Sequence, residues 1–305
     1  MHIDLSGSTY PQNFRSGFVA LVGAPNAGKS TLLNRILGKK ISITSRKPQT
    51  TRNRILGVRH SPVAQLVFFD TPGVHIATDQ FNARIVETAM ATVGDADVVL
   101  VVVDLSRPDF ESERLMVNKI YDEKKPVVLA LNKLDLISKN NLLEQIDRWS
   151  QVYSCDDIVP VSAAKGTQID SLIELLEEKM PVGPPFFPED ALTDQPERFI
   201  AAEMIREKIF RLTGEEIPYS TAVTIDDFKE EINGSLIRIY ASIHMERASQ
   251  KGIIIGKGGR MLKTIGAKSR QDMERFFGTK VFLKLFVRIQ KNWRKDTRAL
   301  KKFGY

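Results

Sequence analysis

Gly23-Ala24-Pro25-Asn26-Ala27-Gly28-Lys29-Ser30, followed by Thr31, lies between an apolar run at 18–22 and a helix-forming stretch at 29–37. The spacing GxxxxGKS, set after a strand and before a helix, makes a loop that cradles phosphate groups. Gly23 and Gly28 let the main chain curl so that successive N–H groups converge on an anion. Lys29 reaches the outer phosphates, and the Ser30 hydroxyl offers a ligand to Mg²⁺. The helix that follows adds the positive end of its dipole. A glycine turn in an unrelated loop carries the same letters, so the neighbouring segments decide the reading.

Those neighbours alternate. Apolar β-branched runs at 18–22, 54–58, 65–69, 98–104, 126–132 and 158–161 are separated by helical patterns at 29–37, 81–93, 111–121, 141–149 and 169–180. Such alternation predicts an α/β fold, a mostly parallel sheet with helices on both faces, whose ligands sit at the carboxyl ends of the strands. Asp70-Thr71-Pro72-Gly73 and then Val74 stand at one such end. Asp70 there can hold Mg²⁺ through a water, and the bare N–H of Gly73 can approach a terminal phosphate. Asn132-Lys133-Leu134-Asp135 stands at another. The Asp135 carboxylate can accept two N–H donors from a guanine edge, a pattern adenine does not present, and a mismatched base leaves the carboxylate unpaired. Asn132 and the Lys133 stem tie this segment to the phosphate loop and cover the base. Ser162-Ala163-Ala164-Lys165 follows the last strand and offers a backbone N–H to the guanine oxygen.

In this order, each at a strand end, these segments resemble the GTPase signature of the P-loop superfamily. The resemblance implies that 23–31, 70–74, Asn132, Lys133, Asp135 and Ser162 to Ala164 contact GTP. It also implies that 41–52 is switch I and 74–79 switch II, ordered by the terminal phosphate and released on hydrolysis. Thr51, just before the next strand, is placed ahead of Thr50 as the switch I ligand of Mg²⁺, beside Ser30 and Asp70. Lys29, Thr51, Asp70 and Gly73 are the expected catalytic groups. Ras-like GTPases carry a glutamine directly after DxxG to orient the attacking water; here the position is Val74, which cannot do so. The chain is similar to GTPases in which an asparagine at the Asn26 position helps bind K⁺, and slow hydrolysis, faster in K⁺ than in Na⁺, is the expectation.

At 305 residues the chain accommodates two domains. One cysteine, Cys155, excludes a disulfide framework, and the four histidines are scattered. The absence of a long apolar span or a signal-peptide pattern predicts a cytoplasmic protein. The net charge of +7 is unevenly spread: residues 238–305 carry about +14 and residues 1–237 about −7. A basic rear segment points to a polyanion.

A proline-rich stretch from 181 reads as a linker, and the element order then changes to helix (198–212), strand (219–228), strand (235–244), glycine turn (256–259), helix (261–277), strand (280–289). Ile253-Ile254-Ile255-Gly256-Lys257-Gly258-Gly259-Arg260, with Lys263 further on, matches the IIGxxG pattern of KH domains. Its glycines admit a sugar–phosphate chain while Ile255, Lys257, Arg260 and Lys263 frame a groove for about four single-stranded bases. The basic tail carries Trp293, Phe303 and Tyr305, which can stack on bases or, for Leu300 and Phe303 especially, pack as a terminal helix.

QTTR in switch I, DTPG and a C-terminal type II KH domain together resemble the Era family of bacterial GTPases, of the TrmE-Era-EngA type, over nearly the whole chain from Gly17. The expected organisation is an N-terminal extension (1–16), a GTPase domain (17–180), the linker (181–197), a smaller α+β type II KH domain (198–290) and a basic tail (291–305). The family resemblance implies Mg²⁺-dependent GTP hydrolysis coupled to binding near the 3′ end of 16S ribosomal RNA, and a role in processing that RNA and assembling the 30S subunit. It implies a monomer, with loose peripheral association to the inner membrane. A constitutive RNA-binding module with a structural nucleotide domain, and a membrane-surface GTPase, are the competing readings.

Overall fold

The computed structural model describes residues 2–3, 9–45, 54–71, 92–108, 113, 120, 123–152, 155, 157–214, 216–231 and 233–303. The chain divides into two units, Met1–Ser42 with Thr51–Asp194, and Ile43–Thr50 with Gln195–Tyr305. In the first, β1 (His2–Ile3) and β2 (Thr9–Tyr10) form a small antiparallel pair. The sheet proper is built from β3 (Arg15–Val22), β4 (Ile55–His60), β5 (Ala64–Asp70), β6 (Val98–Asp104), β7 (Val127–Asn132) and β8 (Asp157–Pro160), in the order β4-β5-β3-β6-β7-β8. All neighbours run parallel except the edge pair β4–β5.

The strands of this sheet are near-continuous apolar runs because both faces are covered. On one side pack Leu32, Leu33 and Ile36 of α1 (Lys29–Leu37), with Leu172 and Leu176 of α3 (Ile169–Lys179). On the other, α2 (Lys139–Val152) brings Trp149 against Val99, Val101 and Leu129. The helices expected over 81–93 and 111–121 lie almost wholly outside the described residues.

The proline-rich stretch is tied to the sheet of this unit. Buried Gln65 accepts the N–H groups of Phe186 (2.7 Å) and Phe187 (3.0 Å) and donates to the Phe187 carbonyl. The Phe186 ring lies 4.7 Å from that of Phe18. Further along, Val58 N–H donates to Leu192 O, and the Thr193 hydroxyl to Leu56 O. Residues 181–194 thus form a strap over the part of the face that α2 leaves open.

The second unit starts with α4 (Glu197–Leu212), then β9 (Ala222–Glu230), β10 (Leu236–Met245), α5 (Ala248–Ile255), α6 (Arg260–Phe277), β11 (Lys280–Ile289) and α7 (Thr297–Lys302). Its sheet runs β11-β10-β9, with β10 parallel to β11 and antiparallel to β9. Strict alternation places Ile237, Ile239, Ala241, Ile243 and Met245 of β10 inward, all buried. Helix α5 corrects the expected element order, in which the glycine turn followed a strand directly.

Buried charge joins α4 to α6. Lys208 donates to Glu207 (2.8 Å) and pairs with Asp272; burial acts to lower its pKa, but the two carboxylates carry it upward overall. The same Glu207 accepts the N–H of Thr44. At the end of the chain, Trp293 is 2 % exposed and donates its indole N–H to Ser220 O, with the Phe303 ring edge-on at 5.2 Å. Trp293 and Phe303, with Leu300 against them, therefore complete a core around Ala222 and are not available to stack on bases. Among the described residues no helix is long and apolar enough to cross a membrane.

Candidate functional site

Because β3, β5, β6 and β7 are parallel and level, their carboxyl ends deliver Gly23, Asp70, Asp104 and Asn132 to one edge; Leu21 registers with Asp70 and Asp104 with Asn132. The phosphate loop turns there. Gly28 has φ 102°, and a Cβ on it would stand 2.2 Å from the Asn132 side-chain nitrogen, so only glycine fits. Asn26 also takes a left-handed conformation (φ 65°) and is exposed. Lys29 is buried and donates to the carbonyls of Gly23 (2.9 Å) and Ala24 (3.0 Å), at the mouth of the loop. Burial lowers its pKa to about 8, against the opposing pull of Asp70 and of Glu113, itself buried.

Asp70 is fully buried, and that burial raises its pKa, opposed by hydrogen bonds from Ser42 and Ser30 and by the charge of Lys29. Both hydroxyls donate to one oxygen, Ser30 at 2.7 Å and Ser42 at 2.6 Å. The other oxygen, Oδ1, is buried without a hydrogen-bond partner among the described residues. A serine hydroxyl beside a carboxylate with an unsatisfied oxygen is a donor set suited to a hard dication such as Mg²⁺. Thr71 donates to Leu21 O (2.6 Å) and so pins the segment that leads away from Asp70.

The other end of this edge is framed by side chains that bond main chain. Asn132 donates to Ala27 O (2.7 Å) and accepts the Ala163 N–H (3.0 Å), linking three loops. Lys133 is held left-handed (φ 66°), a conformation that costs about 1–3 kcal/mol for a non-glycine residue, and pairs with Asp104. Asp135 is exposed, with one oxygen fixed by the Ser162 hydroxyl at 2.6 Å. Arg35 of α1 donates to the carbonyls of Ala163 (3.1 Å) and Ala164 (2.6 Å) from behind.

The structure therefore brings together Gly23 through Thr31, Asp70, Thr71, Asn132, Lys133, Asp135 and Ser162 through Ala164. Thr50, Thr51, Pro72, Gly73 and Val74, with switch I from residue 46 onward and the whole of switch II (74–79), lie outside the described residues. Ser42, Asp104 and Arg35 were not anticipated from sequence. Asp104, polar at the end of a strand of six apolar residues, was the one with a visible signal.

In the second unit, Gly256, Gly258 and Gly259 all have positive φ (70°, 60° and 76°) and form a single turn between α5 and α6. A Cβ on Gly256 would meet Met261 Cβ at 2.8 Å. Lys257, Arg260 and Lys263 are exposed around this turn, and Ile253 is half exposed beside it. This is a cationic, close-approach turn with an apolar neighbour.

A family model for a 50S ribosome-binding GTPase matches residues 18–133, and one for a KH domain matches residues 216–294. The chain is 52% identical over 294 residues to GTPase Era of Geotalea uraniireducens, covering 96% of this chain and 99% of that one. It is likewise 52% identical over 292 residues to GTPase Era of Geobacter metallireducens, at 96% and 98% coverage. Two solved structures share its fold at TM-score 0.89 and 41% identity, each covering 96% of this chain and 99% of its own. They are a single-residue variant of Aquifex aeolicus Era bound to GDP and aluminium fluoride, and Era in complex with MgGDPNP and nucleotides 1506–1542 of 16S ribosomal RNA. With two domains matched in order and half of all residues shared over nearly the full length, the chain belongs to the GTPase Era family.

Proposed function

We propose that the protein is a GTP-hydrolysing switch that binds 16S ribosomal RNA near its 3′ end through the KH unit and assists rRNA processing and assembly of the 30S subunit. The observation that carries it is the Asn132 brace, which holds the phosphate loop and the guanine-reading loop in one frame. The relatives bound to GDP and aluminium fluoride, and to MgGDPNP with 16S nucleotides, support the same reading. The nucleotide domain spans 17–180 and the KH domain 198–290 on this proposal.

In this reading Gly23 through Thr31 wrap the phosphates, Lys29 neutralises their charge, and Asp135 selects guanine. Ser30, Asp70 and Thr51 would hold Mg²⁺, which supplies charge neutralisation across the phosphates. The Gly73 N–H would reach the terminal phosphate. With Val74 unable to orient water, exposed Asn26 would help hold K⁺, which would supply positive charge beside the phosphates. Lys257, Arg260 and Lys263 take RNA phosphates around the glycine turn, with Ile255 in the groove wall. The protein works as a cytoplasmic monomer.

Titrating a 16S rRNA 3′ fragment in the presence of GDP and of a non-hydrolysed GTP analogue tests the switch. Linkage requires RNA to tighten the GTP state by the factor by which GTP tightens RNA. Equal RNA affinity in the two states would leave a constitutive RNA-binding module.

A further inference from the structure

Arg35 lies on α1, downstream of Lys29, yet its side chain acts on a loop far along the chain. Its Nε donates to the Ala163 carbonyl at 3.1 Å and its Nη2 to the Ala164 carbonyl at 2.6 Å. Two consecutive carbonyls, 128 and 129 residues away, are thus drawn to one guanidinium. That group is a planar fork, so its donors fix direction as well as distance. Arg35 is exposed, and α1 is seated by Leu32, Leu33 and Ile36, so the contact adds nothing to the core. What it does is orient main chain.

The N–H groups of residues 162–166 are nearly all engaged. Ser162 N–H donates to Thr167 O (3.1 Å), and Ala163 N–H to the Asn132 side-chain oxygen (3.0 Å). Lys165 N–H donates to Ser162 Oγ (3.1 Å), and Gly166 N–H to Ser162 O (2.7 Å). Among the described residues the Ala164 N–H alone in this loop has no acceptor, and Ala164 is exposed. The peptide joining Ala163 to Ala164 is trans, so its C=O and N–H point in opposite directions. Drawing the Ala163 carbonyl onto Arg35 therefore turns the Ala164 N–H away from the guanidinium. On the same loop, Ser162 fixes Asp135. A fixed donor near that carboxylate matches the edge of guanine, where a carbonyl oxygen adjoins N–H donors. Adenine puts an amino group in place of that oxygen, so donor would face donor.

We infer that Arg35 is a specificity-determining positioning residue, which aims the Ala164 N–H at the carbonyl oxygen of the guanine base. It acts through the Ala163–Ala164 peptide and not by touching the base. This rests on the guanine reading proposed above.

The test measures the affinity of the full chain for GDP and for its thio analogue, in which sulfur replaces the guanine carbonyl oxygen. Sulfur is the weaker acceptor, while the ring N–H and the amino group that would face Asp135 are kept. The wild-type protein should prefer GDP by about tenfold, the value of one well-aligned hydrogen bond. Arg35→Met should weaken GDP by about tenfold and the thio analogue by less than about twofold, so that the preference disappears. Arg35→Lys, which keeps the charge and loses the planar fork, should retain part of the preference. A nearly constant affinity for the thio analogue also reports an intact fold. A purely structural role would weaken both nucleotides alike, and an unchanged ratio in Arg35→Met overturns the inference. A wild-type protein that binds GDP and the thio analogue equally overturns it too. Failure of the wild-type protein to distinguish GDP from ADP would instead refute the guanine reading itself.

Discussion

The side-chain amide of Asn132 donates to the Ala27 carbonyl at 2.7 Å, across 105 residues of sequence. Its other end takes the Ala163 N–H, so one side chain sets the spacing between the loop at 23–30 and the loop at 162–165. Asn132→Ala should leave two buried main-chain groups unpaired. The expected outcome is a loss of about 1–3 kcal/mol in the stability of the nucleotide-free protein and a fall in GDP affinity of about tenfold or more. Thermal unfolding and nucleotide titration on the same variant check it.

Base selection should be separable from that frame. Asp135 is exposed, and among the described residues its side chain hydrogen-bonds the frame only through Ser162. Asp135→Asn exchanges one acceptor oxygen for a donor NH₂, so guanine affinity should fall about a hundredfold or more. Xanthine, which presents a carbonyl in place of the guanine amino group, should gain. Competition between GDP and XDP decides it, and unfolding temperature should be unchanged.

The pH dependence of nucleotide binding follows from Lys29. Burial brings its pKa to about 8, whereas bound phosphates favour the ammonium. Above pH 8 the free protein holds mostly neutral amine, so binding GDP takes up a proton, and affinity should fall by up to about tenfold per pH unit from this group. The unliganded fold behaves oppositely. The unfolded chain keeps this proton up to the ordinary lysine value of 10.5, so the group makes folding more favourable as pH rises from about 8 to there. Calorimetry in buffers of different ionisation enthalpy measures the proton uptake, which Lys29→Met should abolish.

Hydrolysis should depend on the monovalent cation. Asn26 is exposed and left-handed at the rim of the phosphate loop. Turnover of GTP should be on the order of tenfold faster in K⁺ than in Na⁺, and Asn26→Asp should change that ratio. Equal rates in both salts, unmoved by the substitution, would remove the ion from the mechanism.

Trp293 belongs to the core of the second unit, sealed by Phe303 and bonded to Ser220. Trp293→Ala should destabilise that unit by about 3–5 kcal/mol, weakening RNA binding through unfolding while leaving GDP affinity near the wild-type value. Circular dichroism melts read with and without GDP separate the two effects.

The nucleotide frame was readable because its residues sit at strand ends, and strands such as 98–104 announce themselves as apolar runs bounded by a charge. Ser42 and Arg35 were less visible because their partners are remote in sequence or are main-chain carbonyls, which leave no pattern. Helix α5 escaped notice for a local reason. Ala248–Ile255 is short, contains Gly252 and ends in three isoleucines, a string with β rather than helical propensity. What fixes it is Gln250, whose side chain accepts the N–H groups of Glu246 and Arg247 at the helix start. Trp293 illustrates a different ambiguity: a tryptophan among lysines reads equally as a base-stacking platform or a core residue, and only burial distinguishes them.

The strap over residues 181–194 has a mechanical consequence. A pull applied to the chain beyond Asp194 loads the bonds of Thr193 to Leu56 and of Leu192 to Val58 first, and then those at Gln65. Only after these, and the bonds that tie residues 180–184 to Phe14, Arg15 and Ser16, have yielded does tension reach α3, which packs beside the phosphate-loop helix. The strap acts as a strain relief for this one connection, taking up tension at the edge of the sheet before it reaches α3.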